Sequence, residues 1–258
     1  MSGYVEQDIV TADGQRIVSR LFVPENEIKG AVLVVPAMGA SQSYYLKFAA
    51  WLAAQGFLTA TFDYRGTGLS RPPDLRGFKA DLFDWARLDC AAMLDALQAR
   101  AAGKPLYWLG HSFGGHILPI VSDCGRVTKM ITIAAGSGYW RDYAPSRKPL
   151  LWWLWYVVVP FSLKLFGYYP GKRLRKIGDL PKGVMEQWRR WCTNADYSAG
   201  AEGQEIRAGQ GAPAPPGRGC RIDQYRADDR PRPASGGFIA QGRDRSGRLA
   251  RPDLKTAG

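Results

Sequence analysis

The sequence predicts an α/β protein with a mostly parallel, doubly wound sheet. The continuous apolar run at 31–36 is typical of a strand that is buried on both faces, 58–64 is predicted to be the next buried strand, and 127–135 is a further apolar strand. Segments with apolar residues at helical spacing lie between these runs. A regular alternation of strand and helix indicates parallel strands joined by crossover helices. The chain has 258 residues, which is long enough for one large domain of this class.

The chain starts with a predicted antiparallel hairpin. Residues 4–9 and 16–23 have the composition of strands, and Asp13-Gly14 between them is a dipeptide favoured in tight hairpin turns. The buried strand 31–36 follows, and a helix is predicted over 43–55, with Gly56 at its C-terminal cap.

The second half of the predicted sheet continues the same alternation. After the strand at 58–64, a helix is predicted over 81–101 and a short strand over 106–109. A further helix is predicted over 115–121, before the last apolar strand at 127–135.

A G-x-S-x-G motif, Gly110-His111-Ser112-Phe113-Gly114, lies between the predicted strand 106–109 and the predicted helix 115–121. The motif alone is common by chance, but this context is typical of a nucleophile elbow. The tight turn requires small residues on both sides of Ser112, because their backbones are approached closely. The turn also directs the backbone N–H of Phe113 towards an oxyanion, and Met38 in the loop after strand 31–36 is the candidate second donor. Packing in a pocket would explain Met38 equally well.

Further segments accompany the elbow: Pro36-Ala37-Met38-Gly39 and residues 63–70, 134–140, 166–174 and 179–183. Together they resemble the α/β-hydrolase superfamily, in particular bacterial predicted hydrolases related to serine aminopeptidase-like and lipase-like members. The resemblance covers about residues 5–197. It implies an α/β-hydrolase fold and cleavage of an ester, thioester or amide bond through an acyl-serine intermediate, without a metal or an organic cofactor.

The resemblance also divides the chain into a core at 1–137, a cap segment at 138–197 and a tail at 198–258. The cap segment is rich in aromatic residues, and Trp140, Trp152 and Trp155 are candidate contacts for a small acyl or aromatic substrate. Each of these side chains could equally serve to pack the cap onto the core.

A catalytic histidine is missing from the expected place. The resemblance implies the order serine, acid, histidine, yet both histidines of the chain, His111 and His116, flank Ser112 and are predicted to be structural. Asp228 is a weak candidate for the acid, and no base is found. The sequence therefore leaves open a serine hydrolase whose activity is in doubt and a non-catalytic binding protein for apolar ligands.

The tail has a different composition from the rest of the chain. Leu, Ile, Val and Phe account for six of the 60 residues 199–258, while Gly, Ala, Arg and Pro are abundant. So few apolar residues rarely form a core. We interpret this tail as a disordered, low-complexity segment or a frame-shifted C-terminus in place of the last strands.

Charge and termini give the remaining expectations. The net charge of +12 is mostly scattered and comes with no nucleic-acid-binding module, so a nucleic-acid partner is not predicted. No signal peptide is apparent and the cysteines are not paired in metal-binding motifs, which favours a cytoplasmic location. The apolar run 150–161 is shorter than the roughly 20 residues of a membrane-spanning helix. With Lys172 and Arg173 nearby, it suggests peripheral membrane contact through the cap segment.

Overall fold

The computed structural model describes residues 3–174 and 177–203. Its main feature is a six-stranded sheet with the strand order β1-β2-β4-β3-β5-β6. The strands are β1 (Val5–Val10), β2 (Arg16–Phe22), β3 (Gly30–Val35), β4 (Phe57–Phe62), β5 (Leu106–His111) and β6 (Lys129–Ile133). β1 and β2 pair antiparallel, β2 pairs antiparallel with β4, and the other neighbours are parallel. The predicted hairpin and the mostly parallel sheet are confirmed.

Burial along the strands explains why these segments form the sheet. Every residue of β3 is buried, as its uninterrupted apolar sequence predicts for a central strand. β1 lies at one edge of the sheet and is exposed along most of its length. In the turn between β1 and β2, Gly14 has a φ of +81°, a conformation that glycine adopts without steric cost.

The helices predicted over 43–55 and 81–101 form, each with a local difference. α1 (Leu46–Ala54) follows a 3₁₀ turn at Gln42–Tyr45. The helix predicted over 81–101 consists of α2 (Leu82–Asp84), a π-helical segment at Trp85–Cys90 and α3 (Ala91–Arg100). Asp81 caps its start, since its side chain accepts the Asp84 N–H while the Asp84 side chain accepts the Asp81 N–H.

The predicted α-helix over 115–121 is wrong. Two 3₁₀ turns, Ser112–Gly115 and Leu118–Ile120, take its place. Gly114 and Gly115 have low helix propensity, and Pro119 has no N–H to donate to a preceding carbonyl. The segment after the elbow is therefore a series of tight turns.

β6 is the apolar strand predicted over 127–135. Among the residues that the structure describes, β6 pairs with β5 alone, so its other edge has no strand partner there. The side chains of Ile131 and Ile133 are 57% and 45% exposed. The described elements therefore leave apolar surface uncovered at this edge of the sheet.

The cap segment is mainly helical. It contains α4 (Lys148–Trp153), a π-helical segment at Leu154–Val158, α5 (Val159–Phe166) and α6 (Lys182–Thr193). A two-stranded pair, β7 (Tyr168–Tyr169) and β8 (Leu180–Pro181), precedes α6, and α7 (Tyr197–Ala201) follows it. One hydrophobic cluster includes core residues and cap residues such as Trp155, Val184 and Trp191.

The apolar run of the cap segment belongs to a longer helix than expected. Residues Pro145–Phe166 form a helical stretch of 22 residues, with a mean hydropathy of 1.4 in its most apolar window. By length and composition alone this stretch is long enough to cross a membrane, so the expectation that the run is too short is wrong. The 3₁₀ turn Pro145–Arg147 and α4 (Lys148–Trp153) begin the helix before the run, and α5 (Val159–Phe166) continues it beyond the run.

Candidate active site

Ser112 follows directly after β5 in a strained backbone conformation. Its φ is +50°, in the left-handed region that residues other than glycine rarely adopt. Such strain persists only where the surrounding structure enforces it, and it is frequent at functional sites. The serine of the G-x-S-x-G motif is thus held on a sharp turn at the end of a central strand.

The two glycines of the motif are required by close backbone contacts. A Cβ at Gly110 would lie 2.3 Å from the carbonyl oxygen of Gly114, and a Cβ at Gly114 would lie 2.3 Å from the carbonyl oxygen of Val35. Neither position has room for a side chain. The elbow therefore packs directly against the end of β3.

The predicted oxyanion loop leaves the sheet beside the elbow. Val35, the last residue of β3, pairs with Gly110 of β5, so the loop containing Met38 and the turn containing Ser112 begin side by side. Met38 is 6% exposed and belongs to the main hydrophobic cluster. The Phe113 side chain is buried against the rings of Tyr64, Trp85 and Trp191. These contacts hold the elbow against the hydrophobic core.

Tyr45 connects the oxyanion loop with the elbow. Its Oη accepts the N–H of Ala37 at 2.9 Å and lies 2.8 Å from Nδ1 of His111. The hydroxyl oxygen accepts from Ala37, and the hydroxyl also hydrogen-bonds Nδ1 of His111, as donor or acceptor according to the tautomer of the imidazole. Sequence reasoning placed Tyr45 only on the apolar face of a helix. No sequence pattern indicated a role for its hydroxyl, because the partner His111 is 66 residues away in the chain.

Asp63 holds the same loops from the other side. Its carboxylate accepts the backbone N–H of Gln42 at 2.8 Å and that of Leu69 at 2.9 Å, and it also accepts from the Gln42 side chain at 3.0 Å. It therefore joins the glycine-rich loop after β4 to the turn that precedes α1. The sequence pattern at 63–70 supported the family resemblance but did not reveal this role.

Neither histidine is arranged as a general base for Ser112. Nδ1 of His111 is engaged by Tyr45, and the His111 ring stacks on Tyr44 at 6.1 Å. Burial lowers the pKa of His116 to about 4, and its ring packs edge-on against Tyr197 at 5.3 Å. Within residues 3–174 and 177–203, neither histidine is paired with a carboxylate. Asp228, the candidate acid, lies outside the described residues.

The three tryptophans predicted to contact substrate lie in two different environments of the cap segment. Trp152 is 48% exposed and stacks on Tyr156 at 5.7 Å, while Trp140 contacts the edge of the same tyrosine at 6.2 Å. Trp155 is buried and packs edge-on against Trp188 at 5.2 Å. Trp140 and Trp152 thus share an aromatic cluster with Tyr156, and Trp155 packs in the interior.

A cavity of about 290 Å³ opens beside the predicted oxyanion loop. Its lining includes Gly39, Ser41, Arg71, Lys172 and Asp179, and an ion pair of 3.1 Å joins Arg71 to Asp179. No group of three or more potential metal-ligating side chains occurs in the part of the chain that the structure describes.

The strand order, the parallel centre of the sheet and the strained serine after β5 define the chain as an α/β-hydrolase. The family model for serine aminopeptidase, S33, matches residues 26–175, and the chain belongs to this family.

Two curated relatives are both named monoglyceride lipase. The chain is 28% identical to the Saccharomyces cerevisiae protein over 44% of its own length and 36% of the relative's length. It is 30% identical to the Homo sapiens protein over 49% of its own length and 41% of the relative's. The matches therefore span about two fifths of each relative.

Among solved structures, a putative hydrolase from Agrobacterium vitis is similar to the chain. The TM-score is 0.49 at 17% identity, and the match covers 72% of this chain and 71% of the other.

Proposed function

We propose that Ser112 is the acyl-accepting nucleophile of an esterase- or lipase-like site that acts on an ester, thioester or amide bond. The observation that carries this proposal is the φ of +50° at Ser112, between two glycines that exclude any side chain. A turn of this kind exposes the serine Oγ at the end of the sheet. A strained backbone conformation is frequent at functional sites.

The backbone N–H groups of Phe113 and Met38 are the proposed oxyanion donors. Attack of Ser112 Oγ on the carbonyl carbon forms a C–O bond and moves an electron pair onto the carbonyl oxygen, which these donors stabilise. The pairing of Val35 with Gly110 keeps the two donor loops adjacent, and Tyr45 links them through Ala37 and His111. Collapse of the intermediate expels the alcohol, thiol or amine and leaves the acyl group on Ser112.

Neither histidine of this chain is arranged to take the proton of Ser112 Oγ, so the proton passes to solvent water, and the leaving group departs as its anion or takes a proton from solvent. Loss of a triad histidine lowers kcat by about 10⁶-fold, while the oxyanion donors and binding retain about 10³-fold over water. We therefore propose slow acylation by activated esters and very low turnover. Because both curated relatives are named monoglyceride lipase, a monoacylglycerol should be one of the esters tested as a substrate.

Labelling with a fluorophosphonate tests the nucleophile directly. We expect intact-mass spectrometry to show that the original protein slowly forms one adduct per chain. The control variant Ser41→Ala, which changes a serine in the neighbouring loop, should form the same adduct. Ser112→Ala should give no adduct. A folded original protein that stays unlabelled after prolonged incubation would refute the proposal.

A second candidate function is non-catalytic binding of an apolar ligand. The engagement of His111 by Tyr45 and the burial of His116 favour it, because both histidines then have structural roles. This function predicts saturable binding of a non-hydrolysable ether analogue of a monoacylglycerol, which a change in tryptophan fluorescence would measure. It also predicts that fluorophosphonate leaves the protein unlabelled. Labelling at Ser112 would exclude it.

A further inference from the structure

The outer side of the helix Pro145–Phe166 is an exposed apolar surface, which we name the cap face. Its six defining side chains are between 40% and 66% exposed. They are Leu150, Trp152, Trp153, Tyr156, Phe161 and Leu165. An apolar surface of this extent on one element is typical of an interaction site.

The opposite side of this helix is fixed to the protein. Trp155, Val159 and Leu163 are at most 5% exposed and belong to the main hydrophobic cluster. Arg189 of α6 donates a hydrogen bond to the carbonyl oxygen of Trp155. A helix held in this way along one side can lie on a bilayer, but lipid cannot surround it as it surrounds a spanning helix.

The charges along residues 140–174, which contain the cap face, have one predominant sign. Residues 140–174 contain six basic side chains and a single acidic one, Asp142. The basic ones are Arg141, Arg147, Lys148, Lys164, Lys172 and Arg173. Basic side chains that flank apolar and aromatic residues are the pattern of surfaces that bind anionic lipids.

We propose that the cap face docks on the surface of an anionic lipid bilayer, with its tryptophans and Tyr156 at the level of the head groups. Tryptophan and tyrosine favour this interface because their rings are apolar and their N–H or O–H groups remain hydrated. The basic side chains around the face contact the anionic head groups.

The same charges disfavour other occupants. In a symmetric dimer through the cap face, the basic side chains of two copies would face each other and repel. Residues 204–258 of the chain carry eleven basic and six acidic side chains, so their net charge has the same sign as the cap face. An anionic bilayer is the occupant that complements both the apolar surface and the charge.

Vesicle flotation with the full chain tests the proposal. We expect binding to phosphatidylcholine vesicles that contain 30 mol% phosphatidylglycerol, much weaker binding without phosphatidylglycerol, and release by 0.5 M NaCl. The variant Trp152→Ser/Trp153→Ser should bind about tenfold more weakly, because both rings leave the interface. The matched control is Phe48→Ser/Trp51→Ser, which removes an exposed stacked pair on α1 and should bind as the original protein does.

The outcomes separate the possible occupants. Absence of flotation with anionic vesicles, or equal loss in both double variants, overturns the proposal. A dimer seen without lipid and abolished by Trp152→Ser/Trp153→Ser would assign the cap face to a second copy and also overturn it. Circular dichroism verifies that each variant is folded. The Ser112→Ala variant should bind vesicles normally, so the result is independent of the proposed hydrolase activity.

Discussion

Tyr44 and Tyr45 are neighbours in the sequence with very different surroundings. Tyr44 is 75% exposed, whereas Tyr45 is 6% exposed and its hydroxyl bridges Ala37 and His111. The sequence placed both residues at the start of a helix. Only the pairing of β3 with β5 brings Ala37 and His111 close enough to share one hydroxyl.

Replacing the hydroxyl of Tyr45 should therefore destabilise the protein. In Tyr45→Phe the partly buried N–H of Ala37 loses its acceptor, and we expect a loss of about 1 kcal/mol in the free energy of unfolding, measured with urea. Tyr44→Phe is the control and should change the stability by less than about 0.5 kcal/mol. Equal effects of the two substitutions would show that the bridge has no energetic importance.

His116 should make the stability depend on pH. Burial lowers its pKa to about 4, so the folded state keeps it neutral while the unfolded state protonates it below its usual pKa of about 6.5. The unfolded state then binds more protons between these values, and the contribution of His116 is present above pH 6.5 and is lost as the pH falls towards 4.

The measurement compares urea unfolding of the original protein with that of His116→Gln at pH 7 and pH 5. From pH 7 to pH 5, we expect the original protein to lose about 2 kcal/mol more than the variant. Parallel pH profiles would contradict a lowered pKa at His116.

At the level of elements, β6 forms beside β5 where the sequence predicts an apolar strand. In the described part of the chain, Ile131 and Ile133 of this strand are largely exposed. An exposed apolar strand edge promotes association between chains.

A charge on this strand should reduce association without lowering stability. We expect Ile131→Lys to decrease light scattering at high protein concentration and to change the free energy of unfolding by less than about 0.5 kcal/mol. Val10→Lys adds the same charge to β1, at the opposite sheet edge, and should have the smaller effect on scattering. A loss above about 2 kcal/mol in Ile131→Lys would mean that residues outside the described ranges cover this side chain.

At the scale of the whole molecule, Arg65 joins three distant parts of the chain. Its buried guanidinium contacts Asp13 of the hairpin turn at 2.6 Å and Asp89 of the π-helical segment at 2.7 Å. The hydrogen bond from Arg65 holds the pKa of Asp13 well below its usual value. The side chain of Asp89 is fully buried, so its charge depends on Arg65 for compensation.

Removing this central cation should have a large effect. We expect Arg65→Met to lose about 3–5 kcal/mol of unfolding free energy, because it leaves Asp89 buried without its partner. Lys104→Met removes an ion pair with Glu27 in which both side chains are exposed, and it should cost less than about 1 kcal/mol. Thermal and urea unfolding of the two variants measure the difference, and similar losses would contradict the role assigned to burial.

By itself the sequence determined the features that depend on local pattern. Continuous apolar runs predicted the central strands, Asp13-Gly14 predicted the hairpin turn, and the spacing of glycines around Ser112 predicted the elbow. These properties follow from backbone conformation and from the burial that a strand or a turn requires, so residues adjacent in the chain contain the necessary information.

Tertiary structure decided the features that depend on contacts between distant residues. It placed the Tyr45 hydroxyl between Ala37 and His111, turned Trp155 into the interior while Trp152 stayed exposed, and left the two isoleucines of β6 largely exposed. It also replaced the helix expected after the elbow with tight turns. Hydrogen bonds and burial at these positions involve partners far away in the chain, and periodicity within a single segment does not specify those partners.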